Sequence, residues 1–100
     1  MAETYTSGVW VVKPGEEDDF IAAWKEFAAT GRAAPGCVGA LRLVRDVDEP
    51  SRFMSFGPWE SFEAQRDWKA TDDFRDGMAR ARHHVVDFTP SVYELVASLD

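Results

Sequence analysis

Two adjacent histidines, His83 and His84, are the side chains of this chain best suited to moving a proton near neutral pH. They are its only histidines. Neighbouring residues on a helix point about 100° apart, so at most one of the two is expected to face a common site. The alternative is that both lie on the surface near a helix C-terminus, where an imidazolium complements the helix dipole. Two histidines without a third ligand do not predict a metal site.

Arginines near the histidines could hold an oxyanion. Arg80 and Arg82 precede the pair, and Arg66 lies earlier in the chain. A guanidinium turned into a pocket would bind an enolate or quinone oxygen through a charge-assisted hydrogen bond. The commoner arrangement is a solvated arginine paired with a nearby aspartate, and this alternative stays open for all three.

Tryptophans are frequent for a domain of this size, with four Trp and seven Phe among 100 residues. Trp59 and Trp68 could line a pocket for a flat aromatic ligand, with Trp10 joining them from the first strand. Ser55 and Gln65 would add neutral hydrogen bonds if they face inward. Core packing is the alternative for any single tryptophan, but as a group their indole N–H donors favour a ligand cavity.

The elements that would position these residues follow the order β-α-β-β-α-β. Strands are rich in β-branched and aromatic residues and end at Gly/Pro-containing turns, and the first helix opens with four acidic residues that complement its dipole. The first half is predicted as a strand from Tyr5 to Lys13, a helix from Glu16 to Gly31, a strand from Val38 to Val44, and a strand from Arg52 to Phe56 that is stopped by Gly57-Pro58.

The second half is predicted to hold two helical pieces and a last strand. Ser61 is a good N-cap, and Thr71 looks like a second one. The first piece reaches Trp68, the second has an inner stripe of Phe74, Met78 and Ala81, the chain breaks at Asp87-Phe88-Thr89-Pro90, and the last strand runs from Val92 to Ala97.

Composition limits the classes of function. A net charge of −7 argues against nucleic acid or an anionic membrane as partner. The single cysteine, Cys37, excludes an intrachain disulfide, and the N-terminus lacks the pattern of a signal peptide, so we expect a cytoplasmic protein. Residues 1–100 are expected to form one domain. Helices on one face of a four-stranded sheet leave the other face bare, which predicts a homodimer.

The order and spacing of four motifs carry a resemblance to a known family. The chain resembles the antibiotic biosynthesis monooxygenase family, which implies a ferredoxin-like α+β fold with an antiparallel sheet that pairs as a dimeric α+β barrel. The motifs are Pro14-Gly15 before a helix, Ala34-Pro35-Gly36-Cys37-Val38-Gly39, Trp59-Glu60-Ser61-Phe62-Glu63-Ala64, and Asp72-Asp73-Phe74.

The resemblance implies roles for individual residues. Quinone-forming members of the family place an Asn before the strand-end Trp and a Tyr after it. Trp59 matches that Trp, while the other two places hold Ser55 and Gln65. Of the arginines, Arg80 lies nearest in spacing to one that these members use. In haem-degrading members a His ligates haem, but Met78 holds that place here, so haem degradation is disfavoured and no cofactor is expected.

The function implied is a cofactor-independent monooxygenase that oxidises a phenolic or polycyclic aromatic substrate with dioxygen. A base, best a histidine, would remove a proton, and hydrogen-bond donors would hold the resulting oxyanion. One alternative is a non-catalytic dimer that binds a small aromatic molecule or assists cyclisation of a polyketide-like chain. Another is a stress-related member that acts on small quinones or aldehydes.

Overall fold

The structure is a computed structural model that describes residues 3–100. Its elements are β1 (Thr4–Val12), α1 (Glu17–Arg32), β2 (Arg42–Arg45), β3 (Arg52–Trp59), α2 (Phe62–Lys69), α3 (Asp72–Arg82) and β4 (Val85–Glu94). The four strands form one antiparallel sheet in the order β2-β3-β1-β4. This is the ferredoxin-like α+β fold that the sequence predicted, with the second helix divided into α2 and α3.

Hydroxyl caps explain why the second helix is divided. The Ser61 Oγ accepts a hydrogen bond from the Ala64 backbone N at 3.1 Å and opens α2. The Thr71 Oγ1 accepts from the Phe74 backbone N at 3.1 Å and opens α3, and the same hydroxyl donates to the Trp68 carbonyl at 2.7 Å. Both predicted N-caps are confirmed, and the second one joins the end of α2 to the start of α3.

Two predicted chain breaks are wrong. β3 continues through Gly57-Pro58 to Trp59, because Pro58 has no N–H to satisfy and its carbonyl accepts from the Val38 backbone N at 3.2 Å. β4 runs without interruption through Pro90, which pairs with Gly8. A proline is tolerated there because β4 is an edge strand, and among residues 3–100 no strand lies on its outer side.

Two strand boundaries also differ from the prediction. β2 is shorter than predicted and begins only at Arg42, although Cys37 forms an isolated bridge with Trp59. β4 begins and ends earlier than predicted, and residues Val96 and Ala97 lie outside it. The shift of β4 moves Phe88 from a predicted turn to a position directly opposite Trp10 on β1.

The core lies between the helices and one face of the sheet. Alternate residues of β1 point into it, and the indoles of Trp10 and Trp59 are almost fully buried. Helix α1 contributes its apolar stripe as predicted. The buried apolar residues are Trp10, Val12, Phe20, Trp24, Phe27, Ala28, Phe53, Trp59, Trp68 and Ala81.

Candidate functional site

A cavity of about 320 Å³ lies between the sheet and the three helices. Its floor comes from alternate residues of β1 with their neighbours on β3 and β4, and its roof comes from the inner faces of α1, α2 and α3. Most of the side chains that line it are apolar, and several are aromatic, as in sites for flat organic ligands. They include Thr6, Trp10, Trp24, Phe27, Leu41, Ser55, Trp68, Lys69, Phe74, Met78, Arg82 and Phe88.

The middle of the floor is built around Gly8. The Trp10 Nε1 donates a hydrogen bond to the Ser55 Oγ at 3.0 Å, and the Phe88 ring lies 4.1 Å from the Trp10 ring, centroid to centroid. A Cβ on Gly8 would lie 2.6 Å from Phe88 Cε1, so only glycine leaves room for this arrangement. The absence of a side chain at Gly8 therefore sets the position of both aromatic rings.

One end of the cavity is framed by two stacked indoles. The Trp59 and Trp68 rings lie 5.1 Å apart with an interplanar angle of 22°. The Trp59 Nε1 donates to the Thr6 Oγ1 at 3.1 Å, and the Trp68 Nε1 donates to the Thr30 Oγ1 at 3.2 Å. Trp68 lines the cavity, whereas Trp59 is fully buried behind it. Trp59 thus supports the wall.

Two hydroxyls on the floor each accept an indole N–H. Ser55 is paired with Gly8 and Thr6 with Gly57, so the two lie diagonally on neighbouring strands of one face, with Cα atoms roughly 7–8 Å apart. Within residues 3–100, neither hydroxyl donates a hydrogen bond, so both O–H groups can turn toward a ligand. An O–H that accepts an indole N–H is polarised and becomes a better donor.

Gln65 is buried beside the site without lining it. Its Nε2 donates to the Phe62 carbonyl at 2.8 Å, and its Oε1 has no hydrogen-bond partner among the described residues. The side chain is only 2% exposed. The sequence predicted that Gln65 contacts the substrate. In this structure Gln65 does not line the cavity, so such a contact would require the side chain to move.

The predicted catalytic residues lie outside the cavity lining. His83 is exposed, and the partly buried His84 places its Nδ1 2.9 Å from the Glu16 Oε1. Arg80 points across to α1, where its Nε lies 3.8 Å from the Glu26 Oε2. The geometry therefore brings together Trp10, Trp68 and Ser55. It does not bring the two histidines or Arg80 to them, and their catalytic role stays a prediction.

Two cations line the cavity, Lys69 and Arg82. The sequence favoured Arg80 over Arg82 and did not identify Lys69. Arg82, two residues after Arg80, is the α3 arginine that reaches the cavity. Lys69 was missed because it stands at the end of a polar helix, next to the apolar Trp68. Burial lowers the pKa of the Lys69 ammonium below its ordinary value. The helical phase shared with Phe74 and Met78 could have identified Arg82, since it lies four residues beyond Met78.

In residues 3–100, no group of three or more His, Cys, Asp or Glu side chains could hold a metal ion. None of the helices described is long and apolar enough to cross a bilayer.

A model of the antibiotic biosynthesis monooxygenase family matches residues 8–80. The chain belongs to this family. The matched residues run from Gly8 on β1 to Arg80 on α3, so they span most of the cavity. No curated protein matches the sequence.

Solved structures of low sequence identity share the fold. An Asn-to-Ala variant of SnoaB, a cofactor-independent oxygenase from Streptomyces nogalater, superposes with a TM-score of 0.89 at 20% identity, over 97% of this chain and 96% of that one. A protein of the same family name from Bordetella bronchiseptica gives 0.83 at 23% identity, over 99% and 100%. The protein SO0527 from Shewanella oneidensis gives 0.82 at 20% identity, over 94% and 91%.

Proposed function

We propose that this protein is a cofactor-independent monooxygenase that oxidises a phenolic or polycyclic aromatic substrate with dioxygen. The observation that carries the proposal is the cavity itself. Aromatic walls enclose a space of about 320 Å³, and its floor presents two polarised hydroxyls, those of Ser55 and Thr6. Family membership supports the reaction class, and the similarity to SnoaB supports the absence of a cofactor.

The proposed reaction converts a ring methylene into a carbonyl. Loss of a proton gives a carbanion whose charge spreads onto the phenolic or keto oxygens of the substrate. The carbanion transfers electrons to dioxygen and combines with it to give a peroxide. The peroxide then loses water and leaves the carbonyl. One oxygen atom enters the product and the other leaves as water, so four electrons pass from substrate to dioxygen.

The residues of the cavity would act mainly on the charged intermediate. Ser55 and Thr6 donate hydrogen bonds to its oxygens, and because both are already held by indoles they need little reorganisation. Trp10 and Trp68 fix the plane of the substrate rings, and the apolar walls limit access of water to the carbanion. Trp59 positions Thr6 and Trp68 and so acts through them.

We also propose that the protein is a homodimer formed through the face of the sheet that carries no helix. Val44, Met54 and Val9 lie side by side on β2, β3 and β1 of this face, and Tyr5 pairs with Tyr93 further along. Met54 is 42% and Tyr93 58% exposed. An exposed and largely apolar surface of this kind usually marks an interface, and a second copy would cover it as in a dimeric α+β barrel.

The test is dioxygen consumption by purified, metal-free protein offered a panel of anthrones and dihydroxy-aromatics. We expect uptake above the uncatalysed rate, one dioxygen consumed per quinone formed, and, with labelled dioxygen, one labelled oxygen atom per product molecule, in the newly formed carbonyl. Ser55→Ala should lower the rate, whereas Ser91→Ala, on the opposite face, should not. Tight binding of the same compounds without uptake would favour a ligand-binding dimer, an alternative supported by the lack of histidine or carboxylate in the described lining.

A second experiment tests the predicted histidine base. The hypothesis requires that His83→Ala or His84→Ala reduces dioxygen uptake. The cavity lining leads to the opposite expectation, namely that even the double variant keeps its rate. His84→Gln provides a control, because a side-chain amide can still hydrogen-bond to Glu16. Unchanged uptake in the double variant would rule out the histidines as the base.

A further inference from the structure

The charges around the cavity have the opposite sign to the charge of the protein. The chain carries 18 acidic against 11 basic residues, a net charge of −7. Among the described residues that line the cavity, none is acidic and two are basic, Lys69 and Arg82. Carboxylates are therefore absent from the described lining of this apolar space, and two cations stand there; a second cavity, lined in part by Lys25 and Arg45, shares that feature. This separation of charge suggests that the missing counter-charge comes from the ligand.

Lys69 is the more constrained of the two cations. It stands in the last turn of α2, next to Trp68, and is partly buried. Within residues 3–100, no carboxylate forms a salt bridge with it, and burial alone lowers the pKa of its ammonium. An ammonium that has lost part of its hydration without gaining a counter-ion is unfavourable in the empty site, and an anion that enters the cavity relieves that penalty.

Arg82 differs from the other arginines of its helix. Arg75 contacts Asp72 at 3.1 Å, and Arg80 lies 3.8 Å from Glu26. Arg82 forms no salt bridge within residues 3–100, and its guanidinium carbon lies 5.6 Å from the centroid of the Phe88 ring on the cavity wall. A guanidinium in this position can stack on an aromatic face and still direct N–H donors toward a carboxylate or phenolate.

We infer that the cavity binds its ligand as an anion, an aromatic phenolate or carboxylate, with Lys69 and Arg82 as its counter-charges. The inference rests on the proposed function in that it takes this cavity as the substrate site. It adds the substrate class: an aromatic acid that is ionised before or upon binding. The described lining of the cavity lacks histidine, aspartate and glutamate, and the inference explains how it can still hold a deprotonated substrate. Cations close to a phenol or carboxylic acid lower the pKa of that group, so the substrate loses its proton to water and no side chain has to act as the base.

The test compares two ligands of the same shape that differ in charge. 2-Naphthoate and 2-naphthamide have the same rings, and only the first is an anion at neutral pH. We expect the purified protein to bind naphthoate at least about tenfold more tightly than naphthamide, measured by calorimetry or tryptophan fluorescence. Added salt should weaken naphthoate binding and leave naphthamide binding unchanged.

Variants then assign the preference to the two side chains. Lys69→Met and Arg82→Gln should each reduce the naphthoate preference several-fold, and together they should abolish it. Lys69→Arg should restore most of it. Lys25→Met is the control, because Lys25 is an exposed lysine of α1 that lines only the second cavity, and its removal changes the net charge equally. A melting curve for each variant shows whether it is folded.

Three results would overturn the inference: equal or tighter binding of naphthamide, no binding of naphthoate, or an equal loss in Lys25→Met and Lys69→Met. The last would mean that the overall field of the protein or the second cavity, and not Lys69 and Arg82, selects the anion. Dioxygen uptake is read separately. A preference for naphthoate without dioxygen uptake on any anthrone would support this inference and contradict the oxygenase proposal. Dioxygen uptake without a preference for naphthoate would support the oxygenase proposal and contradict this inference.

Discussion

The two faces of the sheet are made by the same strands, yet they present different surfaces. On the helix side, β1 contributes Thr6 and Trp10, and each of them is hydrogen-bonded to a side chain of β3. On the other side, the same strand contributes Tyr5 and Val9, beside the exposed Met54. The alternation of a strand thus separates residues that enclose a ligand from residues suited to contact another protein.

The difference between the faces lies in how polar groups are satisfied. On the helix side, three indole N–H groups bond to hydroxyls of Ser55, Thr6 and Thr30, so the aromatic rings are held in fixed orientations. The opposite face presents exposed apolar side chains, and in the proposed dimer a second copy would exclude water from them. The cavity forms within one chain, whereas the bare face would be covered only in the proposed dimer. Substitutions on the two faces should therefore fail in different ways.

The largest expected effect comes from Trp59→Ala on the helix side. Trp59 is fully buried, stacks on Trp68 and holds Thr6, so its removal leaves a large void in the core. We expect the free energy of unfolding to fall by about 3–5 kcal/mol, measured by urea denaturation at fixed protomer concentration. Phe62→Ala, at a side chain that is 51% exposed, is the control and should change little. A fall below about 1 kcal/mol for Trp59→Ala would contradict the packing described.

Met54→Glu on the opposite face should break the assembly and leave the fold intact. Met54 lies between Val9 and Val44 on the sheet, so a carboxylate there would be buried without a partner in the proposed dimer. We expect the dimer dissociation constant to rise about a hundredfold or more, measured by sedimentation, with an unchanged circular dichroism spectrum. Val47→Glu, at a fully solvated turn, is the matched control. A variant that stays dimeric would place the interface elsewhere.

Much of the fold could be predicted from local signals. The stripe of α1, the caps Ser61 and Thr71, and the order of elements all depend on residues close together in sequence. The two errors at Pro58 and Pro90 have a different origin. Whether a proline ends a strand depends on whether its missing N–H faces a neighbouring strand, and that is decided by distant residues.

The site could be predicted only in part. Trp10, Trp68 and Ser55 were identified because aromatic and small polar residues suit a ligand cavity. The ends of α2 and α3 were harder, because Lys69 and Arg82 resemble ordinary solvated charges until the tertiary structure shows which cation turns inward. Arg80 and Arg82 lie two residues apart on one helix and so point to different sides, and only Arg82 shares the helical phase of Phe74 and Met78.

A smaller effect is expected from Gly8→Ala, which sharpens the description of the floor. The new Cβ would lie 2.6 Å from Phe88 and 3.2 Å from the Trp10 Nε1, so the ring of Phe88 must shift. We expect a loss of about 1–3 kcal/mol in the free energy of unfolding, together with weaker binding of aromatic ligands. In the double variant Gly8→Ala/Phe88→Leu, much of the lost stability should be regained, because the smaller side chain at position 88 relieves the contact with the new Cβ. If the losses of unfolding free energy in Gly8→Ala and Phe88→Leu simply added in the double variant, this geometry would be contradicted.

The smallest expected effect has the opposite sign. Lys69→Met should raise the free energy of unfolding at neutral pH, because it removes an ammonium that burial disfavours in the folded state. The folded-state pKa lies below the ordinary value of 10.5, so the unfolded chain binds more protons between the two pKa values. The wild type should therefore regain stability relative to the variant as the pH rises through the folded pKa toward 10.5, which urea denaturation at several pH values would measure. Lys25→Met, at an exposed lysine, is the control. A variant that is both more stable and poorer at binding naphthoate would identify Lys69 as a residue kept for its ligand at some loss of stability.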